Sequence, residues 1–311
     1  MSPTDITPNE EKPIHQDLQM ANDDVALWLE RIIKEYWMHS PENRMGDGGE
    51  EKAFDEPLLG FSNGDDPLYR EIQADVGSPC LTPVEVFERA FPGCAIAPDE
   101  LTVISWVLPQ NRATRKDNKK ETFYPSERWI RAKHFGKEFN IHLSQYVVQA
   151  LHDAGSDAVV PTQTPFFTIE MTQKYGLASS WSDRHAAYVS GLGTFGLCDG
   201  LITPRGKAMI CGSVIARLSI PPTPRPYQDH HAYCLYFSQG TCGLCMRRCP
   251  VNAISDHGHD KNRCRVHCFE VAQPYARERF GIDEYGCGLC QTGVPCESGI
   301  PVRRRSSDSR L

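Results

Sequence analysis

The chain has 311 residues, with 40 acidic side chains against 33 basic ones and a formal net charge of -7. A hydrophobic fraction of 40% is ordinary for a globular protein, and the length allows one large domain or two modest ones. No apolar run approaches the roughly 20 residues that span a bilayer, and the N-terminus lacks the apolar segment of a signal peptide, so we expect a cytoplasmic protein without a membrane partner. The acidic balance argues against an extensive nucleic-acid interface, although a local basic groove remains compatible with it.

The N-terminal stretch, residues 1–56, predicts an extension with one helix. Residues 1–22 are polar and carry proline without a periodic apolar pattern, which predicts disorder. Apolar residues at helical spacing predict an amphipathic helix over 22–37. Three glycines within 39–56 predict a flexible connector.

Residues 57–225 predict a domain that mixes helices with apolar strands. Helices are expected at 82–91, 126–154 and 183–190, and strands at 101–108, 158–161 and 207–218. This alternation indicates an α+β or α/β core. The proline-rich stretch 220–226 marks a boundary before a third predicted domain at 226–302, and 303–311 form a polar tail.

Thirteen cysteines set this chain apart from an average soluble protein. Four are scattered through the first two thirds and are interpreted as buried core residues: Cys80, Cys94, Cys198 and Cys211. The other nine lie in one segment between Cys234 and Cys296. An odd number of clustered cysteines fits a disulfide framework poorly and indicates metal binding or redox chemistry.

Two spacings within that segment are typical of iron-sulfur ligands. Residues 242–250 read C-x2-C-x3-C-P, the ending of the bacterial ferredoxin run, and 287–296 read C-x2-C-x5-C. Paired C-x2-C knuckles also suit zinc, but the cysteine before proline and the number of thiols favour two 4Fe-4S clusters. The predicted ligands are Cys234, Cys242, Cys245, Cys249, Cys264, Cys287, Cys290 and Cys296.

The predicted ligands divide between two clusters, because the cysteine before proline in such modules ligates the other cluster. Cluster II is assigned Cys249, Cys264, Cys287 and Cys290. Cluster I is assigned Cys242, Cys245 and Cys296. It lacks a fourth ligand at the usual spacing, because position 239 is Gln239. Cys234 is the nearest candidate, Cys268 competes for either cluster, and one of the nine thiols is spare.

A glycine turn precedes this module. The predicted helix 183–190 runs into Ser-Gly-Leu-Gly-x-x-Gly at 190–196, and Leu-Ile-Thr-Pro follows at 201–204. The G-x-G-x-x-G pattern alone is weak, and it follows a helix here, which argues against a Rossmann site. Combined with the two downstream cysteine groups, it resembles the epoxyqueuosine reductase and reductive dehalogenase family over about residues 57–300.

That resemblance implies a nitroreductase-like corrinoid-binding domain followed by a bacterial ferredoxin-like domain with two 4Fe-4S clusters. It further implies base-off cobalamin, a low-potential electron donor such as a ferredoxin or flavodoxin, and a small-molecule or modified-nucleoside substrate. The residues that would contact the corrinoid are Gly191, Leu192, Gly193, Thr194, Phe195, Gly196, Ile202 and Thr203.

The chain departs from this family at the proton donor. Epoxyqueuosine reductases carry an acidic donor shortly before a Glu-Arg pair that matches Asp183-Arg184, whereas residues 176–180 here contain no acid. Dehalogenases use a tyrosine with a basic partner, for which the candidates are Tyr175, Tyr188, Arg184 and Lys207. Two alternatives stay open: a ferredoxin-type electron-transfer protein whose α/β domain binds no corrinoid, and an oxidoreductase that uses flavin or another cofactor.

Overall fold

The computed structural model of the protein describes residues 22–46 and 48–302, so the disorder predicted near the N-terminus and the polar tail lie outside the described residues. The helices are α1 (Asn22–His39), α2 (Pro67–Val76), α3 (Pro83–Ala90), α4 (Arg112–Lys120), α5 (Glu127–Asp153), α6 (Asp183–Val189), α7 (Leu235–Gln239), α8 (Leu244–Arg248), α9 (Lys261–Val266) and α10 (Gln273–Phe280), with a π-helical turn at His267–Ala272 and 3-10 turns at Pro98–Glu100, Pro161–Gln163 and Leu289–Gln291. The strands are β1 (Leu58–Asn63), β2 (Leu101–Pro109), β3 (Ala158–Val159), β4 (Ile169–Thr172), β5 (Gly176–Ser179), β6 (Thr194–Phe195), β7 (Leu201–Ile202), β8 (Met209–Arg217), β9 (Ile254–Ser255) and β10 (Gly258–His259).

Four strands form one antiparallel sheet in the order β1-β2-β8-β3. Every residue of β2 is buried, because helices cover both faces of the sheet. Side chains alternate between the faces with the two-residue period of a strand. Ile104 and Trp106 pack with α1 and α5, whereas Val103 and Val107 pack with α3 and α6. The predicted buried strand at 101–108 and the mixed helix-and-sheet class are therefore confirmed.

The predicted helices within residues 57–225 are confirmed to within about one residue at each end. Local chemistry explains where they begin. Thr82 and Glu85 form a reciprocal capping box at the start of α3, and the Ser126 side chain accepts a hydrogen bond from the Trp129 backbone N–H at the start of α5. The strand expected at 207–218 begins two residues later than predicted, at Met209.

The stretch before β1 is packed into the core. Leu29 and Ile33 of α1 are fully buried against the helices of the same core. The segment predicted as a flexible connector is instead a packed loop, since Met45 and Phe54 are also fully buried. Phe54 fits over Gly136 of α5, where a Cβ atom would lie only 2.3 Å from the phenyl ring.

We call residues 22–225 the sheet region and residues 226–302 the cysteine-rich region. Helices of the cysteine-rich region span only five to eight residues each. This region packs on α4, on α5 and on the hairpin β6-β7, which begins within the predicted glycine turn and ends in the Leu-Ile-Thr-Pro stretch. No helix in the described part of the chain combines the length and the apolar character needed to cross a membrane.

Candidate functional site

Four cysteines form what we call the outer thiol group: Cys249, Cys264, Cys268 and Cys287. The thiols of Cys264 and Cys268, on consecutive helical turns, interact directly. Burial raises the pKa of Cys287 to about 12, and the neighbouring Cys264 and Cys249 add to this shift. The competitor Cys268 therefore lies with residues predicted for cluster II.

Six cysteines form the inner thiol group: Cys198, Cys234, Cys242, Cys245, Cys290 and Cys296. Cys234, Cys242, Cys245 and Cys296 line one small cavity. Cys198 reaches this set from the β6-β7 hairpin and interacts with the thiols of Cys245 and Cys290. The structure thus places Cys234 beside the residues predicted for cluster I, and it places Cys290, predicted for cluster II, on the inner side.

A buried lysine lies against the inner thiol group. Lys207 is 2% exposed, and its Nζ donates a hydrogen bond of 3.2 Å to Cys198 Sγ. Contacts with Cys245 and Cys290 hold the pKa of Cys198 well below its usual range, and Lys207 lowers it further. Burial alone lowers the pKa of Lys207, but the nearby cysteine charges raise it well above its usual range. Both shifts favour a positively charged Lys207 beside a negatively charged Cys198 sulfur.

Arg248 ties the cysteine knuckles to the sheet region. Its Nε donates to the carbonyl oxygens of Leu289 and Thr292, at 3.2 and 3.0 Å. Its other nitrogens donate to the carbonyls of Glu121, at 2.8 Å, and Asn118, at 3.2 Å. One guanidinium thus joins the helix before Cys249, the turn that carries Cys290 and the end of α4.

Helix α5 supports the second C-x2-C knuckle, residues 287–290, through two further contacts. Lys133 Nζ lies 2.9 Å from the buried carboxylate of Glu284 and 3.1 Å from the centroid of the Tyr285 ring. Gly288, between the two cysteines of the knuckle, has φ +67° and lies on the Trp129 indole. A Cβ atom there would lie 2.0 Å from the indole, so this turn requires glycine.

The residues predicted to contact a corrinoid are packed against other parts of the protein. Leu192, Gly193, Thr194, Gly196, Ile202 and Thr203 are buried, and Gly191 and Phe195 are partly buried. A Cβ atom on Gly193 would lie 2.3 Å from the backbone oxygen of Ile202, and one on Gly191 would lie 2.9 Å from that of Pro224. These glycines therefore serve close packing of the chain, and in this arrangement the segment does not form an open cradle for a corrinoid.

The four catalytic candidates occupy different surroundings. The Tyr175 hydroxyl donates to Asp75 near the surface, and the exposed Arg184 donates to the Asp199 carbonyl at 2.8 Å. Tyr188 is buried and stacks on Tyr227, and Lys207 lies in the inner thiol group. Within the residues that the structure describes, no hydrogen bond or ring contact joins any two of these four candidates.

Asp183, in the first turn of α6, is a carboxylic acid with a raised pKa that contacts Ser213 of β8. The hydroxyl of Ser213 donates to its Oδ1 at 2.6 Å, and the Trp181 indole N–H donates to that hydroxyl at 2.9 Å. Burial raises the pKa of Asp183 to about 6, although Ser213 and Trp181 oppose the shift. Burial likewise lowers the pKa of the neighbouring His185 to about 4, which keeps that imidazole neutral.

The sequence interpretation of Cys198 as an ordinary core thiol missed its place beside the metal-binding candidates. Two signals were available: the residue lies two positions after Gly196 of the glycine turn, and the module lacks a cysteine at Gln239. Across residues 22–46 and 48–302, no three or more His, Cys, Asp or Glu side chains surround a common point as a single metal ion requires.

Comparison with known proteins confirms the predicted resemblance over part of the chain. No family model matches it. Epoxyqueuosine reductases of Bacillus anthracis and Bacillus cereus are each 30% identical to it over 125 residues, which are 38% of this chain and 30% of theirs. That of Staphylococcus aureus is 28% identical over 124 residues. The match thus spans less than a third of the length of these curated relatives.

Two solved structures are also similar to the chain. A selenomethionine-labelled epoxyqueuosine reductase aligns over 91% of this chain and 68% of its own, with 17% identity and a TM-score of 0.48. A catabolic reductive dehalogenase aligns over 90% of this chain and 38% of its own, with 14% identity and a TM-score of 0.47. At these low scores the likenesses establish neither a shared fold nor a shared activity.

Proposed function

We propose that this chain is an iron-sulfur reductase whose inner and outer thiol groups hold two 4Fe-4S clusters. The observation that carries the proposal is the gathering of cysteines from four separate stretches of sequence into two adjoining groups. Ordinary core thiols have no reason to gather in this way. The sequence similarity to epoxyqueuosine reductases supports reduction, rather than hydrolysis or binding, as the activity.

The donor chemistry of both groups fits this cofactor. A 4Fe-4S cluster takes four cysteine thiolates, and each group offers at least four. Cys287 lies in the outer group and Cys290 in the inner group, so one knuckle holds the two groups side by side. Residues 226–302 would then form the predicted two-cluster domain. Zinc accepts the same ligands, which makes metal analysis the first measurement.

When bound, the clusters supply one-electron transfer at potentials set by hydrogen bonds and solvent exposure. The chain contributes their placement. All four outer thiols are partly buried, whereas three of the six inner thiols, Cys198, Cys234 and Cys245, are buried. Exposed Arg263 and Arg265 flank the outer group, which suits an acidic donor such as a ferredoxin or flavodoxin. Electrons would therefore enter at the outer group and leave toward the sheet region.

A corrinoid does not fit the glycine segment in the described arrangement, because that segment closes on its own backbone. Cobalamin dependence stays a prediction from the family resemblance. The same observation favours the second candidate function, a ferredoxin-type electron-transfer protein whose sheet region binds no corrinoid. The two candidates share both clusters and differ only in whether the sheet region carries an active site.

Anaerobic purification followed by metal and sulfide analysis tests the cluster proposal. We expect about eight iron and eight sulfide atoms per chain, with a paramagnetic resonance signal of interacting reduced clusters after dithionite treatment. The variant Cys242→Ala should lower the iron content, whereas the control Cys80→Ala, far from both groups in sequence, should not. Zinc in place of iron in the anaerobic protein would overturn the proposal.

Anaerobic incubation with cobalamin then separates the two candidate functions. Stoichiometric cobalt, a base-off signal and reduction of an epoxyqueuosine-containing substrate with reduced flavodoxin would support a corrinoid reductase. A protein with full iron content and no cobalt uptake would support the electron-transfer function. Valine at Gly193 would clash with the Ile202 backbone, so loss of cobalt uptake in Gly193→Val supports binding at the predicted segment only if the iron content stays full.

A further inference from the structure

The inner thiol group contains a cysteine that lies outside the cysteine-rich region. Cys198 is 5% exposed and interacts with the thiols of Cys245 and Cys290. Of the four scattered cysteines, it is the one assigned to either thiol group; Cys211 lies on β8, with Met209 as its sulfur neighbour. Cys198 therefore belongs to the inner thiol group and not to the hydrophobic core around the sheet.

The loop that carries Cys198 is rigidly built. Gly196 N–H donates to the Gly200 carbonyl at 2.8 Å, and Asp199 N–H donates to the Gly196 carbonyl at 2.9 Å, which closes the tip of the β6-β7 hairpin. Asp199 adopts φ +56°, a conformation that non-glycine residues rarely accept without a local reason. These bonds fix the direction in which the Cys198 side chain leaves the loop.

Gly200 opens the path by which Lys207 reaches the sulfur. A Cβ atom on Gly200 would lie 2.8 Å from Lys207 Cδ and 3.4 Å from Cys198 Sγ. Lys207 follows the hairpin and is held by its backbone N–H, which donates to the Cys296 carbonyl at 2.9 Å. The Cys198 sulfur atom thus lies where the β6-β7 hairpin, Lys207 and the cysteine-rich region are in contact.

The charge of Lys207 requires an anion at this place. Burying an unpaired ammonium costs several kcal/mol, and among the described residues no carboxylate forms an ion pair with Lys207. Its Nζ donates a hydrogen bond to Cys198 Sγ, and its side chain also interacts with the Cys296 thiol. A thiolate that binds iron supplies the compensating negative charge permanently, whereas a neutral core thiol would not.

We propose that Cys198 is an iron ligand of the cluster in the inner thiol group, and that it replaces the cysteine missing at Gln239. The inference rests on the proposed function, because it requires that the group hold a 4Fe-4S cluster. It links the sheet region to the cluster through a metal-sulfur bond. Lys207 then neutralises part of the cluster charge through its hydrogen bond to the ligand sulfur.

Cys234 is the competing ligand, and the contacts distinguish the two cysteines. Cys234 is the first residue before α7 and lines the cavity with Cys242 and Cys296. Cys198 instead interacts with two thiols of the group and accepts the hydrogen bond from Lys207. If Cys198 is one of the eight ligands, then two of the nine thiols of the cysteine-rich region are spare, and Cys234 is one of them.

Three variants prepared anaerobically test the inference: Cys198→Ala, Cys198→Ser and Cys234→Ala, with Cys211→Ala as the matched control for a buried sheet-region thiol. We expect Cys198→Ala to retain about four iron atoms of about eight, or about seven with a three-iron signal in the oxidised protein. Cys198→Ser should keep more iron and show an altered resonance of the inner cluster, because serine oxygen can ligate iron. Cys234→Ala and Cys211→Ala should match the unsubstituted chain.

The outcomes separate this inference from the proposed function. An unsubstituted chain without iron would overturn both. Full iron content in Cys198→Ala with an unchanged resonance, combined with iron loss in Cys234→Ala, would overturn the inference and leave the two-cluster proposal standing. If Cys211→Ala also loses iron, the Cys198→Ser spectrum decides, and a spectrum identical to that of the unsubstituted chain would contradict ligation by Cys198.

Discussion

The sheet region and the cysteine-rich region are held together by different forces. In the sheet region, β2 is buried along all nine residues, and the two apolar sets on its faces contain large side chains such as Trp106 and Phe87. Around the inner thiol group, the buried apolar set of the cysteine-rich region has only Ile254 and Val294 besides cysteines, and it is completed by Leu197 and Ile202 from the sheet region. Hydrophobic burial is the main favourable term in folding, so the second region has far less of it.

Polar contacts take the place of a core in the cysteine-rich region. Arg248 donates to four backbone carbonyls, and Lys133 pairs with the buried Glu284. Such contacts contribute roughly 1.5–3 kcal/mol each when one partner is charged, which is too little to order a region with short helices by themselves. If the cysteine-rich region holds the proposed clusters, its order should depend on them, whereas the order of the sheet region should not.

Removal of the clusters should therefore produce the largest effect. Apparent binding free energies of structural metals reach about 10 kcal/mol or more, and in small metal domains this energy is also folding energy. We expect anaerobic chelation of iron to abolish hydrogen-exchange protection across residues 234–296. Protection of β2 and β8 should persist. A uniform loss of protection in both regions would show that the two regions do not differ in their dependence on the clusters.

Truncation of a buried side chain in α1 should destabilise the sheet region without iron loss. Leu29 is fully buried, and Leu→Ala substitutions at such sites cost about 2–5 kcal/mol. Leu27 on the same helix is 64% exposed, so Leu27→Ala is the matched control and should change the free energy of unfolding by less than about 0.5 kcal/mol. Urea unfolding monitored by circular dichroism measures both. Equal effects would mean that α1 does not belong to the core.

The sequence predicted the sheet region well because its signals are local. Strand β2 is a continuous apolar run, and α3 carries its capping box in the residues Thr82 and Glu85. The packed loop before β1 was missed because glycines within 39–56 suggest flexibility, whereas the burial of Phe54 depends on Gly136 across the fold. Only a long-range contact reveals that loop as part of the core.

The candidate site was predictable only in part, for a related reason. Cysteine spacing identified the thiols of the cysteine-rich region, because C-x2-C and C-P patterns are local. Their division into two groups depends on long-range contacts between loops. The sequence pattern therefore assigned Cys290 to cluster II and Cys198 to the core, whereas both contact the inner thiol group. The role of Arg248 was equally hidden, since its four acceptors are all backbone carbonyls and leave no trace in the sequence.

The stability of the sheet region should depend on pH through Asp183. The pKa of Asp183 rises from 3.8 to about 6 on folding, because burial disfavours its carboxylate. The folded state thus binds the proton more tightly, and stability falls as pH rises from about 4 to about 6, then stays constant. At 1.36 kcal/mol per pKa unit, the loss amounts to about 3 kcal/mol.

Asp183→Asn removes this proton and keeps a group that can accept the Ser213 hydrogen bond. Unfolding free energies of both proteins, measured between pH 4 and pH 7, should converge toward the acid end and separate toward neutral pH, with the variant more stable there. A constant difference between the two proteins over this range would contradict a raised pKa at Asp183.

The smallest expected effect concerns Arg248, the joint between the two regions. Arg248→Ala should lower the opening free energy of residues 287–292 by about 1.5–3 kcal/mol, because the carbonyls of Leu289 and Thr292 lose a charged donor. Arg247→Ala, on the exposed face of the same helix, is the matched control and should leave hydrogen exchange in this segment unchanged. The sheet strands should keep their protection in both variants. Because the clusters would still hold the region together, we expect Arg248→Ala to exchange faster at residues 287–292 with unchanged iron content. Loss of iron in Arg248→Ala would instead mean that the Arg248 hydrogen bonds are needed to assemble the thiol groups.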